Sequence, residues 1–109
     1  MINRRRFFRV RASLRFTFAW EGGFELFRTV DLSASGAFVI RGDEAVLPTL
    51  GVVGECAFNL ESMEIRTAAR VVRVSADGFG VLFEGLSRAH EDRVCGWIFR
   101  QETRRAEED

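Results

Sequence analysis

SLRFTFAWEGGFELFRTV, residues 13–30, contains two strands and the turn that joins them. Over residues 13–20 apolar and polar side chains alternate with the period of two that is typical of a half-buried strand. The apolar face of this strand consists of Leu14, Phe16, Phe18 and Trp20. Two glycines at 22–23 supply the turn, and residues 24–30 continue as a second strand. The stretch therefore predicts a β-hairpin with one face in the core.

Four further segments downstream have the composition of strands, and they cover residues 37–40, 55–60, 64–74 and 79–84. Their predicted inner faces include Cys56, Phe58, Leu60, Phe79, Val81 and Phe83. The alternation loses phase near Val71 and Val72, which indicates a β-bulge or a stretch that is buried on both sides. Asp77-Gly78 is a strong turn signal, and the longest polar connection runs over 41–51. Six strands that follow one another by short turns fit a small antiparallel barrel.

After Ser87 the apolar period becomes helical. Ser87 is a good N-cap, and acidic residues follow it while two arginines come near residue 105, which suits the helix dipole. The apolar stripe consists of Val94, Trp97 and Ile98. We expect one C-terminal helix from about 88 to 103, docked on the barrel. The predicted fold is mostly β, a six-stranded antiparallel barrel with a C-terminal α-helix.

The chain has 109 residues, 47% of them hydrophobic, which predicts one domain with a real core. It contains no apolar run of membrane-spanning length and no signal peptide pattern, so we expect a soluble, cytoplasmic protein. Cys56 and Cys95 are too few and too far apart for a metal cluster, and both are expected to be free thiols in the core. His90 has no carboxylate pair, cysteine or metal-ligand cluster around it in sequence, so we expect no catalytic residue and no metal site.

Charge is distributed unevenly along a chain whose formal net charge is zero. Lysine is absent, and six of the sixteen arginines precede the first acidic residue, Glu21. These six are Arg4, Arg5, Arg6, Arg9, Arg11 and Arg15. The tail carries four acidic residues among the last nine. An anionic partner is therefore expected at the N-terminal end.

Two short motifs supply the groups that a dinucleotide with two phosphates and two guanines requires. RRFFR at 5–9 has an arginine at each end, and a guanidinium can grip two phosphate oxygens or the O6 and N7 atoms of guanine. DLSASG at 31–36 adds a carboxylate, hydroxyls and a glycine in a segment that favours a loop. Together they are typical of a binding site for a nucleotide messenger.

With these motifs in this order, separated by two strands, the chain resembles the PilZ domain family of bacterial cyclic di-GMP receptors. The family pattern is R-x-x-x-R in an N-terminal segment, then D/N-x-S-x-x-G after the second strand of a six-stranded barrel. Residues 5–9 match the first part and residues 31–36 the second. The resemblance covers nearly the whole chain, with residues 1–12 as a flexible switch segment and residues 13–109 as the barrel and its helix, which starts near 88.

The resemblance implies a role for each residue of the two motifs. Arg5 and Arg9 are expected to clamp phosphates and guanine edges, and Asp31 to accept bonds from guanine N1–H and its amine. Ser33 is expected to add a hydroxyl contact or to brace the loop. Gly36 is expected to let the backbone pass close to the base or to take a positive φ.

Arg4 precedes the first motif, and by the same resemblance it favours an intercalated dimer of cyclic di-GMP over a single molecule. No other cofactor is expected. Ligand is expected to neutralise the mutually repelling arginines and to draw the switch segment across the barrel. A protein partner in motility, exopolysaccharide or biofilm signalling would then read the changed surface, with this protein as a monomer or weak homodimer that acts in trans.

Two other interpretations remain open. One is a PilZ-like protein-interaction adaptor that does not bind nucleotide. The other is a barrel that binds single-stranded nucleic acid through RRRFFRVR at 4–11, which interleaves arginine with aromatic residues. The zero net charge and the acidic tail argue against the second, so we expect no nucleic-acid partner.

Overall fold

The structure is a computed structural model, and it describes residues 9–42 and 45–108, with side chains as far as Arg104. Within these residues, seven strands precede one helix. They are β1 (Val10–Arg11), β2 (Arg15–Trp20), β3 (Gly23–Leu32), β4 (Gly36–Arg41), β5 (Val53–Leu60), β6 (Met63–Val74), β7 (Gly78–Glu84) and α1 (Arg88–Glu108). No helix in this part of the chain has the length and apolar character that a membrane crossing requires.

Strands β2 to β7 close into an antiparallel barrel, as the sequence predicted. Around the barrel the order is β3, β2, β5, β6, β7 and β4, and a pairing between β3 and β4 joins the ends. The six predicted strands therefore exist in the predicted order, and closure pairs both edges of every one of them. The short strand β1 is an addition, and it pairs with the end of β3.

The barrel interior is filled mainly by phenylalanine. Phe16, Phe18 and Phe79 are fully buried, and Phe79 meets Phe27 edge to face with ring centroids 4.8 Å apart. Such aromatic pairs contribute about 1 kcal/mol beyond the area that they bury. The predicted inner faces are confirmed, since Cys56, Phe58, Leu60 and Val81 are buried and Leu14, Trp20 and Phe83 pack against the core while remaining partly exposed.

The C-terminal helix begins where the sequence predicted and ends five residues later than expected. Ser87 caps it, because its Oγ accepts a hydrogen bond from the His90 amide at 3.1 Å. Val94, Trp97 and Ile98 are buried, which confirms the predicted stripe. The helix packs against β1 and β5.

Two features of the sheet position the residues of interest. First, β1 continues the line of β2 along the same side of β3, since Arg15 pairs with Arg28 and Arg11 pairs with Asp31. This pairing brings the residues just before the barrel beside the end of β3. Second, the register between β3 and β4 shifts between Thr29 and Asp31, which marks a β-bulge at Val30.

The predicted loop over 31–36 is shorter in the structure. Asp31 and Leu32 still belong to β3, and Gly36 already begins β4. The predicted loop was too long, because Asp31 pairs with Arg11 of β1 and so belongs to a strand. The sequence did not reveal β1, because a strand of two residues is too short to show an alternating pattern. Val10 and Arg11 fall inside the predicted switch segment, and residues 1–8 of that segment lie outside the described residues.

Candidate functional site

Arg9 and Asp31 meet at the end of β3. A guanidinium nitrogen of Arg9, Nη1, lies 2.9 Å from Asp31 Oδ1, and the two residues are 22 positions apart in sequence. The Arg9 side chain is 53% exposed and that of Asp31 is 27% exposed. The structure thus brings together one residue from each predicted motif, with both charged groups accessible to solvent. Arg4 and Arg5 lie outside the described residues.

The bulge at Val30 is the reason that Asp31 points outward. Phe27 and Thr29 are buried, so strict alternation would place position 31 inside the barrel. The extra residue Val30 shifts the phase by one position, which turns Asp31 out and places Leu32 in the core with no exposed surface. A carboxylate would be costly in that core. Because of the bulge, Asp31 lies at the rim of the barrel and Leu32 lies in its interior.

Asp31 Oδ1 also accepts a hydrogen bond from the Phe38 amide at 3.3 Å. This bond and the bond from Arg9 converge on the same oxygen. Both hold the carboxylate in place across the pairing of β3 with β4, where Asp31 and Phe38 lie opposite each other. The carboxylate of Asp31 is thereby held by a backbone amide of β4 and by the side chain of Arg9.

Ser33 braces the turn between β3 and β4. Its Oγ accepts hydrogen bonds from the amides of Ser35 and Gly36, each at 3.2 Å, and its side chain is fully buried. A hydroxyl that bonds backbone amides two and three residues ahead is a common device of polar turns. In this conformation Ser33 shapes the loop, and its predicted contact with a ligand stays a prediction.

Gly36 is required by a close approach of two strands. A Cβ atom at this position would lie 2.0 Å from the carbonyl oxygen of Val81 on β7, a distance that no side chain tolerates. Its φ is not positive, so the expectation of a left-handed conformation is wrong. The glycine allows β4 to pair closely with β7, which sets the position of the turn that Ser33 braces.

One row of register partners crosses the outer face of the barrel at the level of Asp31. It runs over five strands through Arg11, Asp31, Phe38, Gly80 and Arg73. The guanidinium carbon of Arg73 lies over the Phe38 ring, 4.9 Å from its centroid. Sequence reasoning missed Phe38 and Arg73 as site candidates. The disturbed alternation near Val71 and Val72 was the available signal, because a bulge there re-aims the next residue.

Of the predicted site residues, the structure brings Arg9 and Asp31 into contact and places Ser33 and Gly36 in the turn that follows Asp31. Burial raises the pKa of the Cys56 thiol to about 12, far from this site. Among residues 9–42 and 45–108 no group of three His, Cys, Asp or Glu side chains could hold a metal ion. The functional groups accessible at the end of β3 are therefore the guanidinium of Arg9, the carboxylate of Asp31 and the ring of Phe38.

Comparison with known proteins gives one family and several solved structures of the same fold. The family model described as PilZ domain matches residues 3–100. No curated protein matches the sequence.

Several solved structures are similar to this chain, and three of them are described here. MotI/DgrA, an inhibitor of motility from Bacillus subtilis, superposes with a TM-score of 0.78 at 16% identity, over 88% of this chain and 50% of that one. The chain thus spans half the length of that protein. The PilZ domain of CeSA from a cellulose-synthesizing bacterium gives a TM-score of 0.67 at 23% identity, over 87% and 98%. An uncharacterized Legionella protein gives 0.61 at 14% identity, over 91% and 98%.

Proposed function

The chain belongs to the PilZ domain family, and from this membership we propose that it is a receptor for cyclic di-GMP. Binding changes the surface of the barrel, and a protein partner reads the change. The ligand lies over the end of β3, between Asp31 on the barrel and the arginines that precede it. The protein acts in the cytoplasm without catalysing a reaction.

The contact between Arg9 and Asp31 is the observation that supports this proposal most. The two groups complement different parts of one guanine nucleotide, since a guanidinium suits phosphate or the O6 and N7 edge and a carboxylate suits N1–H and the amine. Their ion pair is exposed, and such pairs contribute about 0–1 kcal/mol. Ligand can therefore take the place of the pair at little cost.

The remaining motif residues either shape the turn that follows Asp31 or belong to the segment that precedes the barrel. Ser33 and Gly36 set the turn that carries Asp31, through the amide bonds and the close strand approach described above. Arg5 supplies a second fork, and Arg4 favours an intercalated pair of ligand molecules.

The proposed conformational switch follows from a difference in ligand affinity between two arrangements of the N-terminal segment. The anionic ligand binds more tightly when the N-terminal arginines lie across it, so it shifts the population toward that arrangement. Val10 is buried and Arg11 is paired with Asp31, so we propose that the moving N-terminal segment ends at or before Arg9.

The partner is a protein of a motility, exopolysaccharide, biofilm or related signalling system. Two of the similar structures fit this range, since one is described as an inhibitor of motility and the other comes from a cellulose-synthesizing bacterium. We propose that this chain acts as an adaptor of the same kind, as a monomer or weak homodimer and without a nucleic-acid partner.

Calorimetric titration with cyclic di-GMP tests the proposal. The wild type is expected to bind with low-micromolar or tighter affinity and a ratio near two ligands per protein. Arg5→Ala, Arg9→Ala and Asp31→Ala should each weaken binding at least about fivefold, since one charge-assisted contact contributes about 1–3 kcal/mol. Arg4→Ala should lower the ratio. Arg66→Ala, an exposed arginine paired with Glu55 and Glu64, is the matched control and should bind like the wild type.

One observation favours a second candidate, an adaptor that does not bind nucleotide. Asp31 Oδ1 accepts hydrogen bonds from Arg9 and from the Phe38 amide, so the carboxylate has partners within the protein itself. A wild-type titration that gives no heat and no protection of the N-terminal segment at tens of micromolar cyclic di-GMP would support that candidate instead.

A further inference from the structure

We infer that Phe38 and Arg73 form a second half of the ligand site, a platform on which one guanine of cyclic di-GMP stacks. The inference rests on the proposed function and adds two residues that lie outside both sequence motifs. Phe38 lies on β4 directly opposite Asp31, and Arg73 lies on β6.

The position of the platform follows from the strand register. Phe38 pairs with Gly80 of β7, and Gly80 pairs with Arg73, so all three lie on the row that contains Asp31. Neighbouring strands are about 4.8 Å apart, so the Cα atoms of Asp31 and Arg73 are separated by about 14 Å, three strand steps. Arg73 spans part of that distance, because its guanidinium lies over the ring of Phe38.

A second bulge gives Arg73 its outward direction. Ala69 and Val71 are buried, so strict alternation would bury position 73 as well. The register between β6 and β7 shifts between Val71 and Arg73, and this turns Arg73 onto the outer face. Two bulges thus place an acid and an arginine on the same row of the barrel surface. Bulges of this kind are over-represented beside functional sites.

Gly80 has no side chain, so it leaves open space on the barrel surface between the side chains of Phe38 and Arg73. A Cβ atom there would lie 3.6 Å from the Phe38 ring and 3.7 Å from Arg73 Cβ, so both side chains border the space above the glycine. Gly80 contributes only main-chain atoms to the surface beneath that space. A flat base can approach the platform without meeting a side chain from β7.

Arg73 differs in its partners from the exposed arginines that form ion pairs in the structure. Arg9, Arg66, Arg70 and Arg100 each pair with a carboxylate, whereas no carboxylate among the described residues lies within ion-pair distance of Arg73. Phe38 covers one side of its guanidinium, and the residue is exposed on the barrel surface. A guanidinium plane with a free face stacks on nucleobases, and an aromatic ring beneath it strengthens the assembly through cation–π attraction.

Titration of cyclic di-GMP into Arg73→Ala, Arg73→Lys and Phe38→Leu tests the platform. Arg73→Ala should weaken binding about tenfold, within the range measured for one stacked base. Arg73→Lys keeps the charge and removes the plane, so it should be about as weak as the alanine variant. Phe38→Leu should weaken binding several-fold, while Arg66→Ala, on the same strand as Arg73, should match the wild type. Thermal unfolding of each variant without ligand shows whether the fold is retained.

The possible outcomes separate this inference from the proposed function. If Arg9→Ala loses binding while Arg73→Ala binds like the wild type, the platform is wrong and the receptor proposal stands. Full binding by Arg73→Lys would also overturn the platform, because it would show a contact through charge alone. If the wild type itself does not bind, the receptor proposal fails and the platform fails with it.

Discussion

The guanidinium of Arg9 and the carboxylate of Asp31 are in contact at 2.9 Å, although one precedes the barrel and the other ends its second long strand. The contact depends on β1, which lies beside β3, and on the bulge that turns Asp31 outward. It joins the two motifs in the structure. The consequences for stability and for binding can be measured separately.

Arg9→Ala should leave stability almost unchanged. The pair is exposed to solvent, so its loss should lower the free energy of unfolding by less than about 1 kcal/mol. Urea denaturation followed by tryptophan fluorescence measures this. A loss of several kcal/mol would mean that Arg9 holds the fold together, and weaker ligand binding by the variant could then no longer be assigned to a lost contact.

Ser33→Ala should destabilise the protein in the absence of any ligand. The substitution removes Ser33 Oγ, the acceptor to which the buried amide of Gly36 donates, and an unsatisfied buried group costs about 1–3 kcal/mol. Chemical denaturation of the free protein gives the difference. Ser35→Ala is the matched control, because the hydroxyl of Ser35 contacts only Ser33 Oγ among the described hydrogen bonds.

Equal stability of Ser33→Ala and the wild type, together with weaker ligand binding, would assign Ser33 to the ligand instead of the turn.

Gly36→Ala and Gly80→Ala should differ sharply in stability. At position 36 the new methyl group would meet the Val81 carbonyl oxygen at 2.0 Å, so strands must separate at a cost of about 1–3 kcal/mol. At position 80 the nearest atoms are at ordinary contact distance, so the change should cost much less. The melting temperatures of the two variants compare the effects directly. Similar melting temperatures would show that β4 and β7 are not constrained at Gly36.

The Cys56 thiol should resist alkylation in the folded protein. Burial raises its pKa to about 12, and the residue has no exposed surface. Iodoacetamide at pH 8.5 should therefore modify Cys95, which is partly buried, before Cys56, as peptide mass spectrometry would show. Urea should make the two thiols equally reactive.

The same shift gives a pH dependence of known sign. A thiol in the unfolded chain has a pKa of about 8.5, so between that value and 12 the folded state holds a proton that the unfolded state has lost. The stabilisation is complete below about pH 8.5 and is lost as the pH rises toward 12. Cys56→Val should fall less steeply in stability than the wild type over this range, and equal slopes would contradict the assignment.

Most of the barrel could be predicted from the sequence because its signals are local. The alternation over Leu14 to Trp20, the glycine turn at 22–23 and the Asp77-Gly78 turn each specify a strand or a hairpin within a few residues. The strands match these predictions, and the disturbed phase near Val71 is a bulge. The cap at Ser87 fixed the start of the helix for the same reason.

The parts that could not be predicted depend on pairing between distant strands. The two residues of β1 are too few to show a period, and only their pairing with β3 reveals them as a strand. Phe38 and Arg73 are 35 positions apart, and β7 has to lie between their strands before they share a row. Gly36 was expected to provide backbone freedom or close approach to a base, and what it provides is a close approach to β7.

A crystal structure of the complex with cyclic di-GMP tests the central claim most directly. The account predicts that the contact between Arg9 and Asp31 opens and that both side chains bind the same nucleotide, with Asp31 on a guanine edge and Arg9 on a phosphate or a guanine. A complex in which the 2.9 Å contact persists and the nucleotide lies elsewhere on the barrel would contradict it.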